Sequence, residues 1–183
     1  LKKKKEKKSS TPVYKSKDPE GDKKKKLALA QHSDPEICLC VARHYLEGTA
    51  GFEKNEVTAA GYVEISKFYE IEGSFDLAGE MYERGISNKG YDPKKPLLDE
   101  AKSCYENAAK KHHSVHAMSR LAHLINDDNK AKVKYMKAAA YADDPDCLYL
   151  YAQALQFNLY DVKPNVVKAN DLLARAASQN HIP

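Results

Sequence analysis

The sequence predicts an all-α protein, a right-handed α-α superhelix (solenoid) of about four helix pairs. Apolar residues recur at helical spacing from Leu27 onward, and no stretch sustains the alternation of a β-strand. A two-helix pattern also repeats along the chain. One helix pair cannot bury its apolar stripe alone, so we expect the pairs to stack into a linear array.

The helices are expected to be short, because turn-forming residues interrupt the helical spacing at regular intervals. The interruptions fall at residues 34–35, 48–55, 87–96, 126–129, 143–145 and 159–165. At two of them an aspartate precedes a proline, Asp34 before Pro35 and Asp144 before Pro145. We interpret both aspartates as N-caps followed by proline in the first helical turn.

The first helix of each pair carries a small residue, then a large residue three positions later, then a residue that suits a turn. The pattern is seen in "VARHYLEG" (41–48), "AGEMYERG" (78–85), "LAHLINDD" (121–128) and "YAQALQFN" (151–158). The small residues are Ala42, Gly79, Ala122 and Ala152, and the turn residues are Gly48, Gly85, Asp128 and Asn158. Small residues let helices approach closely, so we expect Gly79 to lie where helices of neighbouring layers cross.

The second helix carries alanine, a large residue and paired alanines, as in "EAKSCYENAA" (100–109), "KAKVKYMKAA" (130–139) and "KANDLLARAA" (168–177). Ala109 precedes Ala122 by 13 residues, and Ala139 precedes Ala152 by the same 13. In the first pair the alanine position falls on either Thr58 or Ala60, and the register there stays open.

These patterns resemble the Sel-one-like repeat family, relatives of the tetratricopeptide repeats, over roughly residues 27–183. The best copy spans 76–117, and the last spans 151–181. The resemblance implies a solenoid with adaptor or assembly roles, and it places His113 and His181 in inter-repeat turns. An insertion separates Gly85 from Ala101, whereas Ala131 follows Asp128 by only three positions. Incomplete copies at both ends and the absence of an initial methionine lead us to expect a fragment or a processed form.

Charge divides the chain into a lysine-rich tail or linker at residues 1–26 and a repeat region at residues 27–183. The tail holds twelve lysines and four acidic residues, whereas the remainder holds 18 basic and 22 acidic residues. The tail could bind a phosphate backbone, an acidic protein surface or anionic lipid, serve as a nuclear import signal, or remain a solvated linker. Its candidate polyanion-binding residues are Lys2, Lys3, Lys4, Lys5, Lys7, Lys8, Lys23, Lys24, Lys25 and Lys26.

No motif of a known catalytic or cofactor site is found, and we expect neither an enzyme nor a bound cofactor or metal. His112, His113 and His116 are the most metal-like group, since the first and last could share a helix face. A place in the turn between two repeats explains these histidines better than a metal site does. The four cysteines have neither a disulfide-scaffold nor a CxxC pattern, so we expect them to be reduced and mostly packed in an intracellular protein.

The function predicted is that of a non-enzymatic scaffold whose first helices line a concave, protein-binding face. The candidate contacts are Arg43, Glu80, Arg84, Arg120 and Gln153, together with Tyr91 in the insertion. The alternative is a structural subunit of a ribonucleoprotein, such as an organellar ribosome, whose tail contacts RNA. No apolar run is long enough to span a membrane. The compartment, whether cytoplasmic, nuclear or mitochondrial, stays open.

Overall fold

The computed structural model describes residues 19–31 and 34–179, and this part of the chain is built mainly from α-helices. Their bounds are α1 Pro19–Gln31, α2 Pro35–Glu47, α3 Glu56–Phe68, α4 Ser74–Glu83, α5 Leu98–Lys111, α6 Val115–Leu124, α7 Asn129–Tyr141, α8 Pro145–Phe157 and α9 Val166–Ser178. Strands β1 (Ile86–Ser87) and β2 (Gly90–Tyr91) form one antiparallel hairpin, and a short 3-10 helix spans Leu159–Asp161.

The helices pack as the repeat predicts. The closest packing joins α2 with α3, α4 with α5, α6 with α7 and α8 with α9, and each pair contacts the next. Helix α1 packs on α2. The all-α solenoid of four pairs is therefore confirmed. The boundary placed after residue 26 lies inside α1, while residues 1–18 lie outside the described part of the chain.

Both predicted Asp-Pro helix starts are confirmed. Asp34 accepts hydrogen bonds from the backbone N–H groups of Glu36 and Ile37, each at 3.1 Å. Asp144 accepts one from the N–H of Cys147 at 2.9 Å. Each side chain satisfies amides that have no partner within the helix, while the following proline needs none.

The predicted turn residues behave alike in three pairs out of four. Gly48, Gly85 and Asn158 have φ of 66°, 74° and 55°. Asp128 instead has φ of −132° and caps α7 by accepting from the N–H of Ala131. Asp128 thus lies in the predicted turn but without a positive φ, because the short loop leaves this residue to begin the next helix.

The register of the second helices follows from their N-cap positions. These are Asn55, Leu97, Asp128 and Asn165, and the fourth residue after each is buried. The buried residues are Ala59, Ala101, Lys132 and Ala169. The alanine position is therefore Ala59, not Thr58 or Ala60, and in α7 it is Lys132, not Ala131. Alignment on the terminal alanines misses this because α7 has three consecutive alanines at 138–140, and it is the last two that lie 11 and 12 residues after the N-cap, as the alanine pairs of α5 and α9 do.

Lys132 explains how the third pair manages with so short a loop. In the other pairs, the N–H of the N-cap residue of the second helix donates to the carbonyl of Tyr45, Tyr82 or Leu155. The equivalent acceptor is the carbonyl of Ile125, and here it is the Lys132 ammonium that donates, at 2.8 Å. The lysine is only 7% exposed, and burial lowers its pKa. The ammonium group of Lys132 thus takes the place of the backbone N–H that donates this hydrogen bond in the other pairs.

The inserted loop contains a hairpin that the sequence did not predict, because strands of two residues leave no alternation to detect. Ile86 pairs with Tyr91, and the Asp92 N–H donates to the Gly85 carbonyl at 3.0 Å. The Ile86 side chain is fully buried against α3 and α4, whereas Tyr91 is 48% exposed. The break at residues 69–73 is not predicted either, whereas the break at 112–114 is the turn in which the repeat places His113.

Of the helices described, none combines the length and the hydropathy that crossing a bilayer requires.

Candidate protein-interaction surface

The first helices α2, α4, α6 and α8 present a surface that we call the first-helix face. Ala42, Gly79, Ala122 and Ala152 are all buried, which confirms the small-residue positions. The residue after each small residue is Arg43, Glu80, His123 or Gln153, and the first three are exposed. Because the small side chains point into the core, the residues that directly follow them point toward solvent.

Glu83 of α4 lies at the centre of a polar network on this face. Its carboxylate accepts from the Tyr105 hydroxyl at 2.7 Å and from the Arg120 Nε at 3.0 Å, and a second Arg120 nitrogen also contacts it. Burial opposes the charge on Glu83, but these hydrogen bonds from Arg120 and Tyr105 outweigh it, so the pKa lies below the ordinary value. The network ties α4, α5 and α6 together.

A second contact lies beside the first. His116 Nε2 is 3.1 Å from Glu80 Oε1. This hydrogen bond raises the pKa of His116 and lowers the pKa of Glu80. The exposed Arg43 of α2 adds positive charge that further lowers the pKa of Glu80. Charged side chains thus interact across α2, α4 and α6.

The structure brings together only part of the predicted set. Arg43, Glu80 and Arg120 meet in or beside this network. Arg84 is exposed at the end of α4, and Tyr91 lies on the hairpin. Gln153 donates to the Tyr149 hydroxyl at 2.9 Å. Within the described residues, no side-chain hydrogen bond or ion pair joins Arg84, Tyr91 or Gln153 to Glu80 or Glu83.

Glu83 and His116 are not among the predicted contact residues. The sequence does hold one signal for Glu83, because Glu80 lies three residues before it and shares its helix face. His116 was grouped with His112, but α5 ends at Lys111 and α6 begins at Val115, so the two belong to different helices. His113 lies in the turn between them with φ of 52°, as expected. His181 lies outside the described residues.

The described part of the chain offers no group of three or more His, Cys, Asp or Glu residues placed to bind a metal ion. Cys38, Cys104 and Cys147 are buried. Burial raises the pKa of Cys104 to about 11 and that of Cys147 to about 12. Both thiols are therefore protonated near neutral pH, which makes them poor nucleophiles.

The four described lysines of the predicted polyanion site differ in their surroundings. Lys23 lies over the Phe52 ring, and Lys26 Nζ lies 2.7 Å from His44 Nε2. Lys24 and Lys25 are exposed. Lys2, Lys3, Lys4, Lys5, Lys7 and Lys8 lie outside the described residues.

The fold and this face define a class, the α-helical repeat solenoids. Within that class the chain has the fold of Sel1-like repeat proteins. It is similar to a solved Sel1 repeat protein from Oxalobacter formigenes, at TM-score 0.71 and 18% identity over 85% of this chain and 61% of that one. It is also similar to c5321, a protective antigen of uropathogenic Escherichia coli with an SLR fold, at TM-score 0.73 and 18% identity.

The second match covers 85% of this chain and 33% of c5321, so the chain spans less than two thirds of either solved structure. No family model matches the sequence, and the search of curated proteins finds no match. At 18% identity the likeness concerns the fold.

Proposed function

We propose that the protein is a non-enzymatic scaffold that binds other proteins on its first-helix face. The observation that carries the proposal is the row of charged side chains that crosses three repeats, from Arg43 through Glu80 and His116 to Arg120. A solenoid holds such side chains in a fixed array, because each repeat is packed against the next. Exposed charges in a fixed array suit the recognition of a complementary protein surface.

Arg43 and Arg84 are the residues best suited to a test. Both are exposed, and neither forms an ion pair with a described residue, so reversing their charge leaves the core contacts in place. Arg120 is unsuitable, because its reversal would also break the contact with the half-buried Glu83 and lower stability.

The experiment compares affinity purification and mass spectrometry of the wild type, R43E/R84E and the control K102E. Lys102 lies on α5, a second helix, and the control reverses charge away from the first-helix face. We expect R43E/R84E to lose partner proteins that K102E retains, with unchanged helicity and melting. Recovery of every partner by R43E/R84E would refute the assignment.

No observation on the described residues favours the ribonucleoprotein alternative, and it is not carried further. Tyr91 keeps its place as a candidate specificity element, because the hairpin holds its exposed ring on a rigid support.

A further inference from the structure

A cleft of about 790 Å³, which we call the cleft of the fourth repeat, lies between α7 of the third repeat and the fourth repeat, away from the charged row of the first-helix face. Its walls are α7, the C-terminal half of α8, the 3-10 helix with the loop after it, and the start of α9. Five lysines line it, Lys130, Lys134, Lys137, Lys163 and Lys168. Of the acidic residues only Asp161 lines it, and this residue accepts from the Asn129 amide at 3.2 Å. None of the five lysines forms an ion pair with a described residue.

The floor of the cleft is a buried aromatic ring on which two cations converge. Tyr151 is 3% exposed. The ammonium nitrogens of Lys137 and Lys168 lie 5.6 and 5.2 Å from the centre of its ring. Lys168 also donates to the Tyr141 hydroxyl at 3.1 Å. Leu155 and Val162, both largely buried, complete an apolar floor beneath the charges.

The repeat itself does not require these lysines. Lys130, Lys134 and Lys137 follow the N-cap of α7 by two, six and nine residues, so they share one helix face. The same positions hold Val57, Gly61 and Glu64 in α3, Asp99, Ser103 and Glu106 in α5, and Val167, Asp171 and Ala174 in α9. Like charges four residues apart destabilise a helix, so this stripe is unfavourable for α7 alone.

The second repeat contains the same cleft in a filled state. Its walls include Ala60, Glu64, Ala78 and Tyr82, which correspond to Val133, Lys137, Tyr151 and Leu155. Only about 10 Å³ remains there, because strand β1 runs along it in an extended conformation and inserts the fully buried Ile86. The chain thus shows which kind of segment these walls accommodate.

We propose that the cleft of the fourth repeat binds an extended, acidic segment of a partner protein. An aliphatic side chain of that segment occupies the apolar floor as Ile86 does in the second repeat, and its carboxylates lie against the lysine stripe. This site goes beyond the first-helix face and does not depend on it.

A nucleic acid fits these observations less well. No arginine lines the cleft, although arginine is the residue that pairs with phosphate in a bidentate manner and stacks on bases. Residues 27–183 carry more acidic than basic side chains, and their field disfavours a long polyanion while leaving a short acidic segment free to bind.

The test is a calorimetric titration of the protein with a short synthetic peptide, rich in Asp and Glu around a central Ile. We expect saturable binding that weakens with salt. Replacing the acidic residues by Asn and Gln, or the Ile by Ala, should each weaken binding about tenfold or more. Absence of binding, or equal affinity for all three peptides, would overturn the proposal.

Protein variants locate the site. K134E/K137E and the more exposed pair K130E/K134E should each weaken binding about tenfold or more, whereas K94E/K102E outside the cleft and R43E/R84E on the first-helix face should bind like the wild type. Circular dichroism and melting confirm folding. Unchanged affinity in both cleft variants would overturn the proposal. So would a single-stranded RNA oligonucleotide that binds more tightly than the peptide and is lost in the same variants.

Discussion

At the scale of single residues, Gly79 shows how closely the two helices of a pair approach. A Cβ atom at this position would lie 2.6 Å from the Tyr105 ring, which is fully buried. Gly79 therefore faces α5 of its own pair, and the expectation that it lies between neighbouring layers is wrong. The glycine makes room for the ring whose hydroxyl binds Glu83.

Replacing Gly79 by alanine should destabilise the protein. Helix propensity favours alanine by about 1 kcal/mol, but overpacking against a buried ring costs roughly 1–3 kcal/mol. We expect the free energy of unfolding in urea to fall. Gly61 is the matched control, because a Cβ atom at that position would meet nothing within 4 Å. Gly61→Ala should raise the free energy of unfolding by about 0.5–1 kcal/mol. A gain in both variants would contradict the role of Gly79.

The pair of Glu80 and His116 should make stability depend on pH. The raised pKa of His116 adds stability that is fully present below the unfolded pKa, near 6.5, and is lost as the pH rises through the folded pKa. The lowered pKa of Glu80 adds stability above about 4.5 that is lost as the pH falls through its folded pKa. The contact therefore contributes most between these values.

We expect wild-type stability, relative to His116→Gln, to decline as the pH rises from about 6 to 8. The measurement is urea unfolding of both proteins across that range. The comparison with the variant cancels the contribution of His44. Burial and the charge of Lys26 lower the pKa of His44, so its contribution to stability rises with pH. A constant difference between the two proteins would contradict the contact.

At the scale of elements, the loops after the first helices decide how the repeats differ. The loop of the second repeat folds into a hairpin and fills its cleft, whereas the loop of the fourth forms the 3-10 helix and leaves its cleft open. The third repeat has almost no loop and relies on Lys132. Variation at one position of the repeat thus gives each unit its own surface.

Ile86 anchors the hairpin in the core, whereas the ring of Tyr91 is exposed. We expect substitutions of the two residues to affect stability differently. Ile86→Ala should lower the free energy of unfolding by about 2–5 kcal/mol, because the side chain is fully buried. Tyr91→Ala should change it by less than about 0.5 kcal/mol. Thermal or urea unfolding checks both. A large stability loss in Tyr91→Ala would show that the ring is structural and would remove it as a candidate contact.

At the scale of the whole molecule, the core is divided along the chain. The buried side chains of the described residues form four clusters, one centred on α1 and α2 and another on α7 to α9. Each helix contacts mainly its neighbours in sequence. Stability in such an array is close to a sum over repeats and their interfaces.

Damage to one cluster should therefore remain local. Leu148 is fully buried in the cluster of α7 to α9, and Leu148→Ala should cost about 2–5 kcal/mol there. We expect amide hydrogen exchange to accelerate in α7 to α9 more than in α2 and α3. An equal loss of protection in all helices would indicate a single cooperative core instead.

Local chemistry made much of the fold predictable. The period of apolar residues indicates helices, Asp34 and Asp144 mark helix starts, and the recurring small residues reveal the repeat. Each of these signals lies within a few residues, so it can be read without knowing what packs against it. The register of α7 was less accessible, because the sequence alone does not say which two of its three consecutive alanines form the terminal pair.

The sequence by itself determined the class of fold, the number of helix pairs and the small residues at their contacts, since these follow from short-range spacing. Only the tertiary structure decided that Tyr105 faces Gly79, that His116 meets Glu80, and that Lys132 replaces a backbone amide. It also decided that one cleft is filled by Ile86 and another is open and lined by lysines. Such contacts join residues far apart in the chain, and their partners are set by how neighbouring helices pack.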